Sequence, residues 1–150
     1  MGICVFCDIV SGKCPDTVIE YQNEELVIFK DIKPRADFHF LAIPKVHHES
    51  ILTLNQKEHS SLIDNLEKSL RDLLEWKNID VDEAVFGFHV PPFISVWHLH
   101  LHALAPVSSI YPGCRYKYIP GDFFKTPDRA KEMLPYSVKG HLKVVLSKTL

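Results

Sequence analysis

Three observations predict an α+β domain built on an antiparallel sheet of about five strands, with one long helix and a short C-terminal helix. The chain has 150 residues, enough for one hydrophobic core but not for two. Its β-favouring runs are short and mostly joined by short connections, which suits antiparallel pairing rather than βαβ crossovers. One long stripe of apolar residues at helical spacing separates the third run from the fourth.

Taken in order, residues 18–21 and 26–29 are two short runs separated by the polar Gln22-Asn23-Glu24-Glu25, and they read as a hairpin. Residues 38–44 (FHFLAIP) form a third strand, with His39 on the face opposite Phe38 and Phe40. Asn55 followed three residues later by Glu58 is a capping-box variant that starts a helix. Ile63, Leu66, Leu70, Leu73 and Leu74 then recur on one face, and the helix runs to about Trp76. Residues 84–90 and 96–104 are two more strands, the first ended by Pro91-Pro92 because proline cannot donate to a ladder. Beyond Pro106 the pattern loosens until Thr126-Pro127-Asp128 caps a helix ending near Leu134. The domain proper is therefore assigned to residues 1–110. The remainder, 111–150, is a C-terminal extension whose aromatic density argues that it packs on the same domain.

Composition narrows the function. Seventeen basic residues against nineteen acidic give a formal charge of -2, so there is no broad basic surface for nucleic acid or an anionic membrane, and neither is expected as a partner. No apolar run reaches membrane-spanning length. The N-terminus carries no basic region followed by a signal-length apolar run, and Phe6 stands where a myristoylation motif needs Ser or Thr. Cys4, Cys7, Cys14 and Cys114 are thus expected to be reduced. The unusual number is nine histidines.

Three of them alternate in Val96-Trp97-His98-Leu99-His100-Leu101-His102-Ala103-Leu104. A strand would put the imidazoles on one face and Leu99, Leu101 and Ala103 on the other. His98 and His102 would then lie about 13 Å apart, too far to share one metal ion. Adjacent imidazoles can instead divide a phosphoryl transfer, one attacking phosphorus while its neighbours bind or protonate oxygens. The bland alternative is an exposed strand face that happens to be rich in histidine. Cys4-x-x-Cys7 has the spacing of a zinc knuckle, which needs two further ligands; the alternative is a pair of small core cysteines. His48, His59 and His141 fit no pattern and are expected at the surface.

The segment His98-Leu99-His100-Leu101-His102-Ala103-Leu104 resembles the signature of the histidine-triad (HIT) superfamily. Cys4-Val5-Phe6-Cys7-Asp8-Ile9, Phe29-Lys30-Asp31-Ile32-Lys33-Pro34, residues 39–47 and Gly87-Phe88-His89-Val90-Pro91-Pro92-Phe93 occur in the order of its Hint branch. The resemblance implies hydrolysis of the P–N bond of adenosine 5'-monophosphoramidates to AMP and an amine. His100 would be the nucleophile that forms a covalent nucleotidyl-imidazole, His102 would contact the phosphate, and Ser95 would donate a hydrogen bond near the scissile bond. Asp31 would receive the ribose hydroxyls, and Phe6, Ile9, Phe29 and Ile32 would form the slot for a purine base. His39 and His89 complete the implied nucleotide-binding set, although many Hint relatives carry Asn where this chain has His89. Relatives with a CxxC pair complete a zinc site with the positions of His47 and His98, so a structural zinc on Cys4, Cys7, His47 and His98 is expected, while catalysis needs no cofactor. The family habit is a cytoplasmic and nuclear homodimer in which the chain after the triad runs near the partner's active site. The rival readings are a dinucleoside polyphosphate hydrolase or DNA 5'-adenylate remover of the same superfamily, and a nucleotide-binding scaffold whose catalysis has faded.

Overall fold

The fold comes from a computed structural model in which residues 3–137 are described; His141 lies outside them. In chain order the elements are a short helix α1 (Val5–Val10), strands β1 (Ile19–Gln22), β2 (Leu26–Lys30) and β3 (Phe38–Pro44), the long helix α2 (Gln56–Trp76), strands β4 (Val85–His89), β5 (Leu101–Ala105) and β6 (Phe124–Lys125), and helix α3 (Pro127–Met133). The strands form one sheet in the order β1-β2-β3-β5-β4-β6, and every neighbouring pair is antiparallel. The α+β class holds, with six strands rather than about five. The added strand, β6, is two residues long and pairs Phe88 with Lys125 and His89 with Phe124, too short to leave an alternating pattern in sequence.

Helix α2 starts where its capping box stands: the Asn55 side chain accepts the Glu58 N–H at 2.9 Å and donates to the Glu58 carboxylate at 3.0 Å. Its stripe of Ile63, Leu66, Leu70, Leu73 and Leu74 is buried against one face of the sheet, which contributes Ile28, Phe40, Leu101 and Phe88. No helix among the described residues is long and apolar enough to cross a membrane.

The opposite face of the sheet carries the residues of the other parity. Helix α1 covers one part of it, with Phe6 over Val27, Phe29, Leu41 and Ile43. A 3-10 segment, Pro112–Tyr118, covers another, with Cys114 and Tyr118 packed on Leu104, Ile110 and Phe124. The strip left between these covers is where the histidines lie.

The alternation of residues 96–104 predicts a continuous strand, but the β5 ladder begins only at Leu101. Extending the β3–β5 register, in which Ala42 faces Leu101, sets Leu99 opposite Pro44, which has no N–H to give. Leu99 donates instead to the His48 carbonyl at 2.6 Å. The side chains still alternate: Leu99, Leu101 and Ala103 sit in the core under α2, while the Phe6 ring meets both His98 and His100 edge-on.

Gly87 pairs with His102 across β4 and β5, and a Cβ there would lie 2.4 Å from the buried Phe124 ring. Gly87→Ala is therefore expected to cost about 1–3 kcal/mol by overpacking, read as a lower urea midpoint; an unchanged midpoint would mean that the C-terminal segment moves away freely.

Candidate active site

The pleat brings the polar residues together. Phe29 on β2 and Asp31 just past its end, Leu41 on β3, His89 on β4, and His100 and His102 on the triad segment share the sheet face turned away from α2. They line a cavity of about 900 Å³, ample for a nucleotide-sized ligand. Phe6, Ile9, Phe29 and Ile32 line it, as do Asp31, Ser95, His89, His100 and His102.

At the apolar end, the rings of Phe6 and Phe29 meet edge to face at 5.4 Å, and Phe6 also stands 5.1 Å from the His100 ring. A flat apolar ring is what this slot suits. Asp31 begins the turn after β2, where the Lys33 N–H donates to its Oδ1 at 2.8 Å. Burial raises its pKa, and the Lys33 N–H works against that rise.

His100 has a defined tautomer. Its Nδ1 lies 2.7 Å from the His98 carbonyl, which can only accept, so Nδ1 carries the proton and Nε2 keeps its lone pair. Burial pushes its pKa down to about 4, against a smaller opposite effect of that hydrogen bond. At neutral pH the ring is therefore uncharged rather than an imidazolium, with a lone pair on Nε2 that can act as a nucleophile.

His39 departs from expectation. It does not line the cavity but is buried behind His102, with Nε2 at 2.9 Å from His102 Nδ1 and at 3.4 Å from Asp31 Oδ2. Register explains this: His39 pairs with Leu104, two residues beyond His102 along β5, where a neighbouring ring rather than a ligand is within reach. Burial lowers its pKa to about 3, and burial likewise lowers those of His89 and His102.

Beside the cavity, Cys4, Cys7, His47 and His98 bring one ligand atom each to a common point. Cys4 Sγ lies 3.3 Å from His98 Nδ1, Cys7 Sγ lies 3.3 Å from His47 Nδ1 and 3.5 Å from His98 Nδ1, and the two Nδ1 atoms are 3.1 Å apart. The edges of a tetrahedral zinc site with two sulfur and two nitrogen ligands are about 3.3–3.8 Å, so the donor set fits. His98 Nε2 is 2.9 Å from the Pro44 carbonyl and must donate to it, which leaves Nδ1 bare for a metal. Cys4 also accepts the Cys7 N–H at 3.3 Å while capping α1. A second cluster, Asp31, His39 and His102, does not fit a metal. The Arg35 N–H donates to His39 Nδ1 at 3.1 Å, so a cation on Nε2 would require His39 to lose both ring protons.

Sequence reasoning missed Arg35, Lys117 and Tyr118, all at the cavity wall. Tyr118 lies against the rings of His39, His89 and His102 at 5.3–5.6 Å. The extension thus lines the cavity of its own chain, where the resemblance pointed to a partner's. Its aromatic density was the available signal, but nothing local ties it to a histidine. His48 and His59, expected as unrelated surface residues, meet edge to face with ring centroids 5.0 Å apart, outside the cavity.

The chain resembles known proteins in sequence and in fold. The family described as scavenger mRNA decapping enzyme C-term binding matches residues 3–113. Adenosine 5'-monophosphoramidase HINT3 of Mus musculus is 45% identical over 106 residues, covering 69% of this chain and 64% of the mouse protein. This chain thus spans a little under two thirds of that relative's length. A HIT family hydrolase from Clostridium thermocellum superposes with a TM-score of 0.62 at 31% identity, covering 69% of this chain and 90% of the other. Hnt3 in complex with DNA and guanosine reaches a TM-score of 0.66 at 18% identity, over 91% of this chain and 80% of the other, a likeness of fold alone.

Proposed function

This chain belongs to the histidine-triad superfamily, and from that premise we propose that it hydrolyses adenosine 5'-monophosphoramidates to AMP and an amine. The mouse relative named for that activity supports the reading. The observation that carries it is His100: a neutral imidazole, its Nδ1–H held by the His98 carbonyl, in a cavity that also holds an aromatic slot and a carboxylate.

With the base against the apolar wall of Phe6, Ile9, Phe29 and Ile32 and the ribose diol on Asp31, the phosphoryl group falls to the histidine end. A carboxylate suits vicinal hydroxyls because it accepts both hydrogens. His100 Nε2 attacks phosphorus, forming a P–N bond to the ring, while the bond to the amine breaks. The amine nitrogen takes up a proton from the Ser95 hydroxyl, while His102 hydrogen-bonds the phosphoryl oxygen. Water then attacks phosphorus and returns a proton to Ser95 as the bond to His100 breaks, giving AMP and the neutral ring. Throughout, the His98 carbonyl stabilises the positive charge that His100 gains on attack. The test is release of AMP and amine from an AMP-amine substrate, and absence of turnover would leave only nucleotide binding.

Lys30, Lys33, Arg35 and Lys117 also line the cavity. That favours, as the second reading, a leaving group that is itself a phosphate, as in dinucleoside polyphosphates. Higher kcat/KM for such substrates than for AMP-amines would establish it.

Zinc, when bound by Cys4, Cys7, His47 and His98, would act structurally by tying α1 to the sheet, since all four ligands come from the protein and none is left for a substrate. Protein prepared without chelator should carry about one zinc per chain by metal analysis. Cys4→Ser with Cys7→Ser should lose the metal, lower Tm and weaken AMP binding, because Phe6 lies between the two ligands. Metal-free wild type would refute this.

A further inference from the structure

Beyond the nucleophile, three imidazoles stand in series between a backbone donor and a backbone acceptor. The Arg35 N–H is 3.1 Å from His39 Nδ1, and an amide can only donate. His39 Nδ1 is therefore bare, and in the neutral ring the proton sits on Nε2. Asp31 Oδ2, 3.4 Å from that nitrogen, is a second acceptor consistent with this. His39 Nε2 is 2.9 Å from His102 Nδ1, so it donates there and leaves His102 protonated on Nε2. His102 Nε2 is 3.2 Å from His89 Nδ1, and His89 Nε2 is 2.8 Å from the Lys117 carbonyl, which can only accept. The four bonds run in one direction without conflict, and all three rings are neutral. A proton added to His102 would set two N–H groups against each other at His39. Burial, which lowers the pKa of each ring, acts to the same end.

We propose that His89 is a positioning residue: anchored on the Lys117 carbonyl of the C-terminal segment, it closes the chain that His39 opens and holds the His102 ring with its Nε2–H in place, so that His102 offers the substrate's phosphoryl oxygen a donor and not a lone pair. The second half of this statement rests on the phosphoramidase reading; the tautomer does not. The 3.2 Å bond is the longest of the four and so the one most readily shared with an incoming phosphoryl oxygen. The chain also gives the C-terminal segment a role at the reaction centre, through a main-chain atom that no side-chain pattern in the sequence marks.

The test uses full-length protein with 15N-labelled histidine. In the substrate-free wild type, His102 should show a protonated Nε2 and a bare Nδ1. His89→Leu, which removes both bonds, leaves the His39 donor that sets the tautomer but frees the far edge of the His102 ring, so Nε2 should keep its proton and lose the 15N shift of a hydrogen-bonded N–H. It should also lower kcat by about 10- to 100-fold, the usual loss when the partner that orients a functional histidine is removed, with AMP affinity held within about twofold. His89→Asn can still accept from His102 and donate to the carbonyl, so it should restore that shift and recover most of the lost kcat. A protonated Nδ1 on His102 in the wild type would overturn the proposal. So would equal losses in the Leu and Asn variants, or a loss confined to KM, which would make His89 a nucleotide contact. A locked tautomer in a protein that turns over no phosphoramidate would refute the functional reading and leave the tautomer assignment standing.

Discussion

Replacing His100 by Asn is expected to lower turnover of an AMP-amine by about 10⁴-fold or more, the scale on which enzymes lose rate with their nucleophile. AMP affinity should change by less than a few-fold, because the aromatic slot of Phe6 and Phe29 and the Asp31 carboxylate do not depend on the ring. The asymmetry is the informative part. Asn keeps a polar group of similar reach and can still donate to the His98 carbonyl, but it has no lone-pair nitrogen to attack phosphorus. Single-turnover rates with calorimetric AMP titration separate the two effects. Substantial residual turnover would remove His100 from the mechanism, and a parallel collapse of AMP binding would mean that the substitution had damaged the cavity.

Acidification should unfold the protein over an unusually high pH range. Burial holds His39 at a pKa of about 3 and His100 at about 4, whereas both titrate near 6.5 once the chain is unfolded. Between those values the unfolded chain binds protons that the folded chain refuses, so stability is full above about pH 6.5 and falls as pH is lowered. Each such ring contributes about 1.4 kcal/mol per pH unit, and the two together remove roughly 5 kcal/mol between pH 6 and 4. His89 and His102 shift in the same direction. Asp31 works the other way, since burial raises its pKa, but it is one group against several. Urea unfolding at pH 7, 6, 5 and 4.5 should give steadily lower midpoints, and equal or greater stability at pH 5 than at pH 7 would contradict the burial of neutral imidazoles.

Much of this was legible where one short pattern carries its own physics. Helix α2 follows from the Asn55 and Glu58 cap and one apolar stripe, and β3 from a seven-residue, mostly apolar run. The histidine face follows from the period of two that puts His100 and His102 opposite Leu99 and Leu101. What stayed hidden depends on partners distant in sequence. Helix α1 is a six-residue helix over Phe29 and Leu41, too short to announce itself by period. Strand β6 exists because Gly87 leaves room for Phe124. His39 looks like a ligand residue on its own strand and becomes a relay only when His102 closes on it. Lys117 contributes a carbonyl, which every residue has. The four donors of the metal cluster come from α1, the loop after β3 and the start of the triad segment; spacing predicts only the first two.

The claim on which the account depends is that His100 carries the nucleotide during turnover. The most direct measurement is mass spectrometry of protein quenched with base during hydrolysis of an AMP-amine whose amine leaves quickly, because phosphoimidazoles survive alkali and not acid. The account predicts one adenylyl group on the peptide containing His98, His100 and His102, mapped to His100 and absent from His100→Asn. An adduct on another residue, or AMP formed with no adduct at any quench time, would contradict it.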